Sequence, residues 1–276
     1  MSRVLCTFPG KAGDILWSLP TARAIARITG EPVDFAVMPY YESLLPLLQE
    51  QEYISRAFTL ADWHRTGSAH GDQPEVPQNR EIEQQYAQTW HLGYRAHPGI
   101  TAPDFNLCNF VAAQQSIVLQ QPVVPFLKVR QELVEHAQAS GDYVAMAFNE
   151  QYDEQKQKFR NEFKVRCPRE VAVVWMPDLR WEVVPSTIAG ALAYVGDRSS
   201  NWVIAKGVDA QALTYEPHPH RNAHGPFGHI FGCPYGRPEI AVHHGTAPCT
   251  AALQIAQQVR RLMEEAKSNR ETVTQA

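Results

Sequence analysis

The sequence has few features of membrane, disulfide-rich or nucleic-acid-binding proteins. Its five cysteines are odd in number and form no Cys-x-x-Cys pair, so we expect reduced thiols in a cytoplasmic protein. No apolar run approaches the ~20 residues of a membrane-spanning helix, and the N-terminus lacks the apolar core of a signal peptide. The net charge of -4 provides no broad basic surface, which leaves only a local basic groove open for nucleic acid.

Several well-defined site motifs are also absent. The chain contains neither Gly-x-Gly-x-x-Gly nor a P-loop, and it has no Gly-x-Ser-x-Gly nucleophile elbow, which disfavours dinucleotide, P-loop and hydrolase functions. Histidines cluster late in the chain without a helical metal-binding pattern or a cysteine pair, so we predict no metal site. They are His218, His220, His224, His229, His243 and His244.

The 276 residues suffice for one large domain or for two of about 130 residues. Strand-like and helix-like segments alternate, and a proline-containing extended segment ends near Pro125. We therefore predict an α/β protein with two Rossmann-like domains, residues 1–125 and 126–276.

The predicted elements follow from short apolar runs and from helical apolar spacing. Strands are expected at 3–8, 33–38, 86–94, 142–148, 170–176, 194–196 and 210–215. Helices are expected at 15–28, 105–115, 154–163, 186–192, 202–206 and 250–266, with a short amphipathic stretch at 41–48. Residues 66–82 read as a surface loop, 217–238 as irregular, and those from 267 as a frayed end.

A glycine-bearing turn separates the first strand from the first helix. Gly10 and Gly13 would let the backbone approach a ligand, Lys11 would neutralise a phosphate, and Asp14 would present a carboxylate. Two plainer interpretations stay open: Asp14 as the N-cap of the helix, and Lys11 as a solvated loop residue.

A second polar segment follows the strand at 194–196. Asp197 is followed by Ser199, Ser200 and Asn201, which offer hydroxyl, amide and backbone donors at a helix start. These donors suit a phosphate group. The alternative is that Ser199 or Ser200 only caps the helix.

Segments in both halves of the chain resemble one enzyme family. In the first half they are Arg3-Val4-Leu5, Gly13-Asp14-Ile15-Leu16, Leu19-Pro20 and Arg23-Ala24-Ile25. In the second half they are Ala189-Gly190-Ala191, Val195-Gly196-Asp197, Pro219-x-Arg221 and Gly225-Pro226-Phe227-Gly228. In their order and spacing these segments resemble the bacterial ADP-heptose lipopolysaccharide heptosyltransferases of glycosyltransferase family 9.

The resemblance implies a B-type glycosyltransferase fold, in which two Rossmann-like domains face each other across a cleft. The N-terminal domain would hold an acceptor and the general base Asp14, and the C-terminal domain would hold a nucleotide-sugar donor. The donor would be a substrate, with no cofactor and no metal, and the acceptor is not identified. Predicted donor contacts are Gly10, Lys11, Gly13, Asp197, Ser199, Ser200 and Asn201.

The chain also departs from that family. Asn201-Trp202-Val203-Ile204-Ala205 stands where the family has a Ser-His-Leu-Ala run, and no Lys-x-Trp-Pro element follows the strand ending at Phe148. A lysine of the segment Gln155-Lys156-Gln157-Lys158 would be the nearest substitute. Two alternatives therefore accompany the transferase hypothesis: a degenerate protein that only binds a nucleotide sugar, and a sugar-nucleotide epimerase or hydrolase of the same fold.

Overall fold

The computed structural model describes residues 3–8, 11–60, 77–92, 124–149, 153–217, 236–242 and 245–275. They form two compact units, each built on one sheet of parallel strands. The first unit extends to Lys128 and also contains the short segment Arg180–Glu182. The second begins at Val129. The prediction of an α/β fold is confirmed.

The first unit follows a strand-helix alternation. Its elements are β1 (Val4–Phe8), α1 (Ala12–Thr29), β2 (Val33–Val37), a 3-10 helix (Pro39–Leu44), α2 (Leu45–Gln49), β3 (Ile54–Thr59), α3 (Pro77–Glu83) and β4 (Gln88–His91). The strand order is β3-β2-β1-β4. All three pairings are parallel, so the carboxyl ends of these strands lie at one edge of the sheet.

The central helix of this unit is buried more completely than its sequence pattern predicts. The spacing of apolar residues in α1 indicates one buried face, whereas every residue from Ile15 to Ala22 is buried. Ser18 is accommodated because its hydroxyl donates to the Ile15 carbonyl at 2.6 Å. The helix ends at Gly30, whose φ of 78° is the left-handed conformation that glycine adopts most easily.

Two elements of the first unit differ from the expectations. The strand β3 was not predicted, because its residues after Ile54 are exposed or half-buried and include a charged arginine, so it lacks an apolar run. The helix α3 begins inside the segment 66–82 predicted as a loop and ends one residue beyond it. The helix predicted at 105–115 lies outside the described residues.

The second unit repeats the alternation with one more strand. Its elements are α4 (Gln131–Ala139), β5 (Tyr143–Ala147), α5 (Glu154–Arg166), β6 (Ala172–Trp175), a 3-10 helix (Met176–Asp178), α6 (Val184–Gly190), β7 (Ala193–Gly196), α7 (Ser200–Gly207), β8 (Ala212–Tyr215), β9 (Ile240–Val242) and α8 (Pro248–Gln275). The strand order is β6-β5-β7-β8-β9, again with parallel pairings. The strand β9, with only three half-buried residues, was not predicted.

Aromatic side chains fill the core between this sheet and two helices. The ring of Phe159 stacks on Tyr215 at 4.7 Å and on Phe163 at 6.0 Å. Helix α8 packs along α5 and continues to Gln275, so the frayed end predicted from residue 267 is wrong. Arg270 in its last turns makes a paired ion contact with Asp142, at 2.8 and 2.9 Å, which gives this end of the helix a partner.

In each sheet, the chain first extends the sheet on one side of its starting strand and then crosses over to add the next strand on the other side. The place where this crossover occurs is the switch point of the sheet. In the first sheet this point lies between β1 and β4, and in the second it lies between β5 and β7. Ligands of open parallel sheets bind outside the carboxyl ends of the strands at such points. In the described part of the chain, no helix has the length and apolarity needed to cross a membrane.

Candidate functional site

Asp14 lies in the first turn of α1, next to the carboxyl end of β1. The N-cap residue of this helix is Lys11, with extended φ and ψ, so the interpretation of Asp14 as the N-cap is wrong. Asp14 occupies the third helical position, and its carboxylate accepts a hydrogen bond from the Lys11 backbone N–H. This contact is the reverse arm of a capping box. The side chain therefore also stabilises the helix start.

Burial raises the pKa of Asp14 from 3.8 to about 6. The charge of Lys11 and the hydrogen bond from its backbone act in the opposite direction but do not offset the burial. Judged by its solvent-accessible area, however, Asp14 is only half-buried. A partly accessible carboxyl group with a pKa near neutrality can accept a proton from a substrate hydroxyl.

The other predicted residues of the glycine turn are placed near Asp14 in sequence and space. Lys11 is exposed and Gly13 is half-buried. Gly10 lies outside the described residues. At the same switch point the Thr7 hydroxyl hydrogen-bonds Nδ1 of His91, the last residue of β4, at 2.9 Å. The edge formed by the carboxyl ends of β1 and β4 therefore carries both the carboxyl group of Asp14 and the imidazole of His91.

The second switch point carries a buried aspartate. Asp197 follows β7 directly, and its side chain is only 3% exposed. Its Oδ2 accepts a hydrogen bond from the Asn149 backbone at 2.8 Å, and Nζ of Lys156 lies 2.7 Å from the same oxygen. Asn149 follows β5, so this aspartate joins the two strands of the switch point.

Lys156 is surrounded by acceptors. Besides Asp197, its Nζ lies 3.4 Å from the Asn149 carbonyl, 3.9 Å from Glu216 Oε2 and 4.0 Å from Asp153 Oδ2. Burial alone would lower the pKa of Lys156, but the carboxylates of Asp197 and Glu216 outweigh burial, so the pKa is raised. The lysine is therefore held as a counter-ion for acids of this unit.

A second cation completes this group of charges. The Arg198 backbone N–H donates to Glu216 Oε1 at 2.9 Å, and the Arg198 guanidinium donates to Glu239 Oε1 at 3.0 Å. Glu239 also accepts a hydrogen bond from the Thr214 hydroxyl. We call the following residues the acid cluster: Asp153, Lys156, Asp197, Arg198, Glu216 and Glu239. Its four carboxylates face two cations.

The acid cluster lies beside the N-terminus of α7. Ser199 is the N-cap residue but its hydroxyl makes no capping bond. It hydrogen-bonds the Tyr194 hydroxyl instead. Ser200 is the first helical residue and Asn201 the second, so four of the seven predicted donor contacts, Asp197, Ser199, Ser200 and Asn201, lie at this helix start. The first N–H groups of a helix have no partner within it, which suits an anion.

Two buried oxygens at this helix start have no hydrogen-bond partner among the described residues. They are Oδ1 of Asp197 and Oδ1 of Asn201. A buried acceptor without a partner costs ~1–3 kcal/mol. Both oxygens would therefore be stabilised by hydrogen-bond donors, such as hydroxyl groups, supplied from outside this set of residues.

Gly196 allows the loop to approach the sheet closely. A Cβ at this position would lie 2.1 Å from the Ala147 carbonyl oxygen and 2.4 Å from the Tyr194 hydroxyl oxygen. The same hydroxyl donates to the Asp197 carbonyl at 2.8 Å. Gly196 and Tyr194 thus fix the path of the backbone that presents Asp197.

Sequence reasoning did not single out Glu216, Glu239 or Asn149. Glu216 directly follows the predicted strand at 210–215, so the rule that sites lie at the carboxyl ends of strands would have identified it. Glu239 precedes the unpredicted strand β9 and had no such signal. The late histidines lie outside the described residues, and within the described ranges no group of three or more His, Cys, Asp or Glu side chains is arranged so that it could hold a metal ion.

No protein-family model matches the sequence, and no curated protein matches it either. Solved structures do match. E. coli ADP-heptose lipopolysaccharide heptosyltransferase II has 10% identity and a TM-score of 0.61 over 96% of this chain and 99% of that one. The glycosyltransferase family 9 protein of Veillonella parvula DSM 2008 has 10% identity and a TM-score of 0.62 over 96% and 97%.

Two further matches are described with ligands or metals of their own. E. coli heptosyltransferase WaaC with ADP-2-deoxy-2-fluoro heptose has 14% identity and a TM-score of 0.53 over 96% of this chain and 99% of that one. The E. coli glycosyltransferase TibC, described as iron-containing, has 12% identity and a TM-score of 0.52 over 97% and 77%. The two parallel sheets and these similarities confirm the predicted glycosyltransferase B-type fold.

Proposed function

We propose that this protein is a glycosyltransferase that moves a sugar from a nucleotide-diphosphate donor to an acceptor without a metal ion. The first unit is the acceptor side with Asp14 as general base, and the second unit binds the donor. The observation that carries the proposal is the placement of predicted site residues at the switch point of each sheet, in a fold similar to nucleotide-sugar transferases. The cytoplasmic location stays a prediction.

The donor diphosphate is proposed to bind at the N-terminus of α7. Backbone N–H groups of Ser200 and Asn201 and the hydroxyl of Ser200 are the donors available to it there, and the Ser199 hydroxyl would join them on leaving Tyr194. The helix dipole adds the equivalent of roughly half a positive charge. Gly10, Lys11 and Gly13 are retained as further proposed donor contacts.

Asp14 is proposed to take the proton of the acceptor hydroxyl as the new glycosidic bond forms. The bond between the sugar and the donor phosphate breaks, and the nucleoside diphosphate leaves with the bonding electrons. General-base catalysis contributes about 10² to 10⁴-fold. The raised pKa of Asp14 strengthens it as a base, because a carboxylate of higher pKa holds a proton more tightly.

A binding-only function is the second candidate. It is favoured by Lys156, which in this structure is engaged by Asp197 instead of being available for phosphate. Such a protein would bind nucleotide sugars and show no turnover with any acceptor. Calorimetric donor binding combined with an absence of product across an acceptor panel would select this candidate.

The first experiment is a thermal-shift screen of nucleoside diphosphates and nucleotide sugars. Ligands of the native state raise the melting temperature by mass action, so the screen identifies the base and sugar without the acceptor. We expect at least one nucleotide to raise it. A flat response across the panel would contradict both candidates.

The second experiment compares Asp14→Asn with the wild type in donor turnover, counting transfer and hydrolysis. We expect a loss of about 10² to 10⁴-fold with the fold retained, because asparagine keeps an acceptor oxygen for the Lys11 backbone. Glu31→Gln, an exposed acid just beyond the other end of α1, is the matched control. Full activity of Asp14→Asn would refute the proposed base, and loss of activity with a chelator would refute metal independence.

A further inference from the structure

We infer that Glu216 is a charge-selecting residue of the diphosphate site, which disfavours free nucleoside diphosphate relative to the nucleotide-sugar donor. The inference rests on the proposed function, because it assumes that a diphosphate binds at the start of α7. It adds a named residue that distinguishes donor from product.

Glu216 already occupies a position that an anion would take. Its Oε1 accepts the Arg198 backbone N–H at 2.9 Å, one residue before the N-cap Ser199. Its carboxylate is thus a resident negative charge at the loop that leads into α7. A bound diphosphate would lie close to this charge.

The cations near Glu216 are shared with other carboxylates. Burial raises the pKa of Glu216, and the charge of Lys156 and the Arg198 backbone N–H offset this only in part. Lys156 is the nearest cation to Oε2, at 3.9 Å, but it lies closer to Asp197, at 2.7 Å. The Arg198 guanidinium is directed to Glu239 at 3.0 Å. Each cation of the acid cluster therefore has a closer carboxylate than Glu216.

A second observation concerns Asp197, which lies beside the same helix start. Oδ1 of Asp197 lacks a partner among the described residues although this side chain is 97% buried, being only 3% exposed. A carboxylate oxygen accepts hydrogen bonds and repels phosphate, so it favours a hydroxyl-bearing part of the ligand. The site therefore combines a helix start suited to phosphate with acids suited to hydroxyl groups.

The nucleotide-sugar donor and the nucleoside diphosphate product carry different charges, so the carboxylate of Glu216 repels them to different extents. In a nucleotide sugar both phosphates are esterified and each carries one negative charge. In a free nucleoside diphosphate the terminal phosphate ionises a second time with a pKa of about 6, so it carries nearly one more charge at neutral pH. Repulsion by Glu216 is stronger for the product, and the product leaves more readily.

The test measures the affinities of ADP and ADP-glucose, or of UDP and UDP-glucose if the adenine pair does not bind, by calorimetry at pH 7.5. We expect Glu216→Gln to tighten binding of the free diphosphate roughly tenfold more than that of the sugar ester, the size of one charge interaction at partly screened distances. Glutamine retains an oxygen for the Arg198 backbone, so the loop is preserved.

Glu170→Gln is the matched control, because Glu170 is exposed and lies just before β6, at the opposite edge of the same sheet. It removes the same charge and should leave both affinities unchanged. An unchanged affinity ratio in Glu216→Gln, with binding retained, overturns this inference alone. If neither the wild type nor the variant binds these or any other nucleotide of the thermal-shift panel, the proposed function is overturned together with it.

Discussion

At the scale of single residues, Asp14 and Asp197 stand in different electrostatic surroundings. Asp197 has an ammonium group 2.7 Å from one oxygen, whereas burial raises the pKa of Asp14 to about 6. The carboxylate of Asp197, paired with Lys156, is suited to orienting a bound ligand. A carboxyl group with a raised pKa suits proton exchange. The two acids are therefore expected to respond differently to neutralisation.

Asp14 should reduce the stability of the folded protein at neutral pH. Its folded pKa of about 6 exceeds the ordinary value of 3.8, so the folded state binds the proton more tightly, and stability falls as pH rises between these values. Asp14→Asn removes this loss. Chemical denaturation at pH 7.5 should show the variant more stable by up to about 3 kcal/mol, at 1.36 kcal/mol per pKa unit.

The gain in Asp14→Asn should shrink as the pH is lowered from 7 to 4, because the wild-type carboxyl group becomes protonated in the folded state. A variant that is less stable than the wild type at pH 7.5 would contradict the raised pKa. Combined with the expected loss of turnover, the stabilisation would mark a group retained for activity at the expense of stability.

Lys156 should contribute strongly to the stability of the second unit. Lys156→Met leaves Asp197 as a buried carboxylate without its ammonium partner, which typically costs about 3–5 kcal/mol. Urea denaturation measures the loss. Lys158→Met is the control on the same helix, because this lysine is exposed, and it should change stability by no more than about 0.5 kcal/mol.

The pairing itself is tested by a double variant. Asp197→Asn combined with Lys156→Met removes both charges, so it should recover part of the stability lost in Lys156→Met alone. Additive losses in the double variant would show that the two side chains are not coupled.

At the scale of elements, the sequence predicts every described strand that is fully buried but misses β3 and β9, which are not fully buried. The strands β1, β2, β5 and β7 are fully buried, so each produces a short apolar run. The strand β3 carries an exposed arginine, and its pairing with β2 comes from tertiary contacts. Helix ends were less predictable, because α8 continues into a polar segment held by an ion pair.

A candidate site residue was predicted from the sequence only where the strand next to it was also predicted. Asp14 and Asp197 each follow a buried strand, and both emerged from the sequence. Glu239 depends on β9, whose three half-buried residues give no periodic signal. The hydrogen bond from Lys156 to Asp197 joins residues 41 positions apart in the chain, and no local pattern specifies it.

The junction between β7 and its loop should tolerate no side chain at position 196. Gly196→Ala places a methyl group within 2.1 Å of the Ala147 carbonyl oxygen, so the strand pairing of β5 and β7 must shift. We expect a loss of ~3 kcal/mol or more, at the upper end of overpacking costs. Urea denaturation of the variant checks this.

Gly30→Ala provides a comparison for the variant at position 196. Its φ of 78° is strained for alanine, but a Cβ there meets no atom within 4 Å. It should therefore cost only about 1 kcal/mol. Equal losses for the two variants would show that close approach does not limit position 196.

At the scale of the whole molecule, the arrangement of strands relates this chain to solved structures although the sequence identity is very low. Identities of 10–14% accompany matches over nearly the whole chain. Each sheet reverses its strand order once, and acids follow the strands at both reversals. The arrangement of layers is thus retained in the matched proteins at identities this low.

The ion pair between Arg270 and Asp142 has a practical consequence for dissecting the chain. It joins residues 128 positions apart, at the first strand and the last helix of the second unit. Segments that are distant in sequence thereby become spatial neighbours. A truncation that removes the last turns of α8 therefore also deprives Asp142, immediately before β5, of its guanidinium partner.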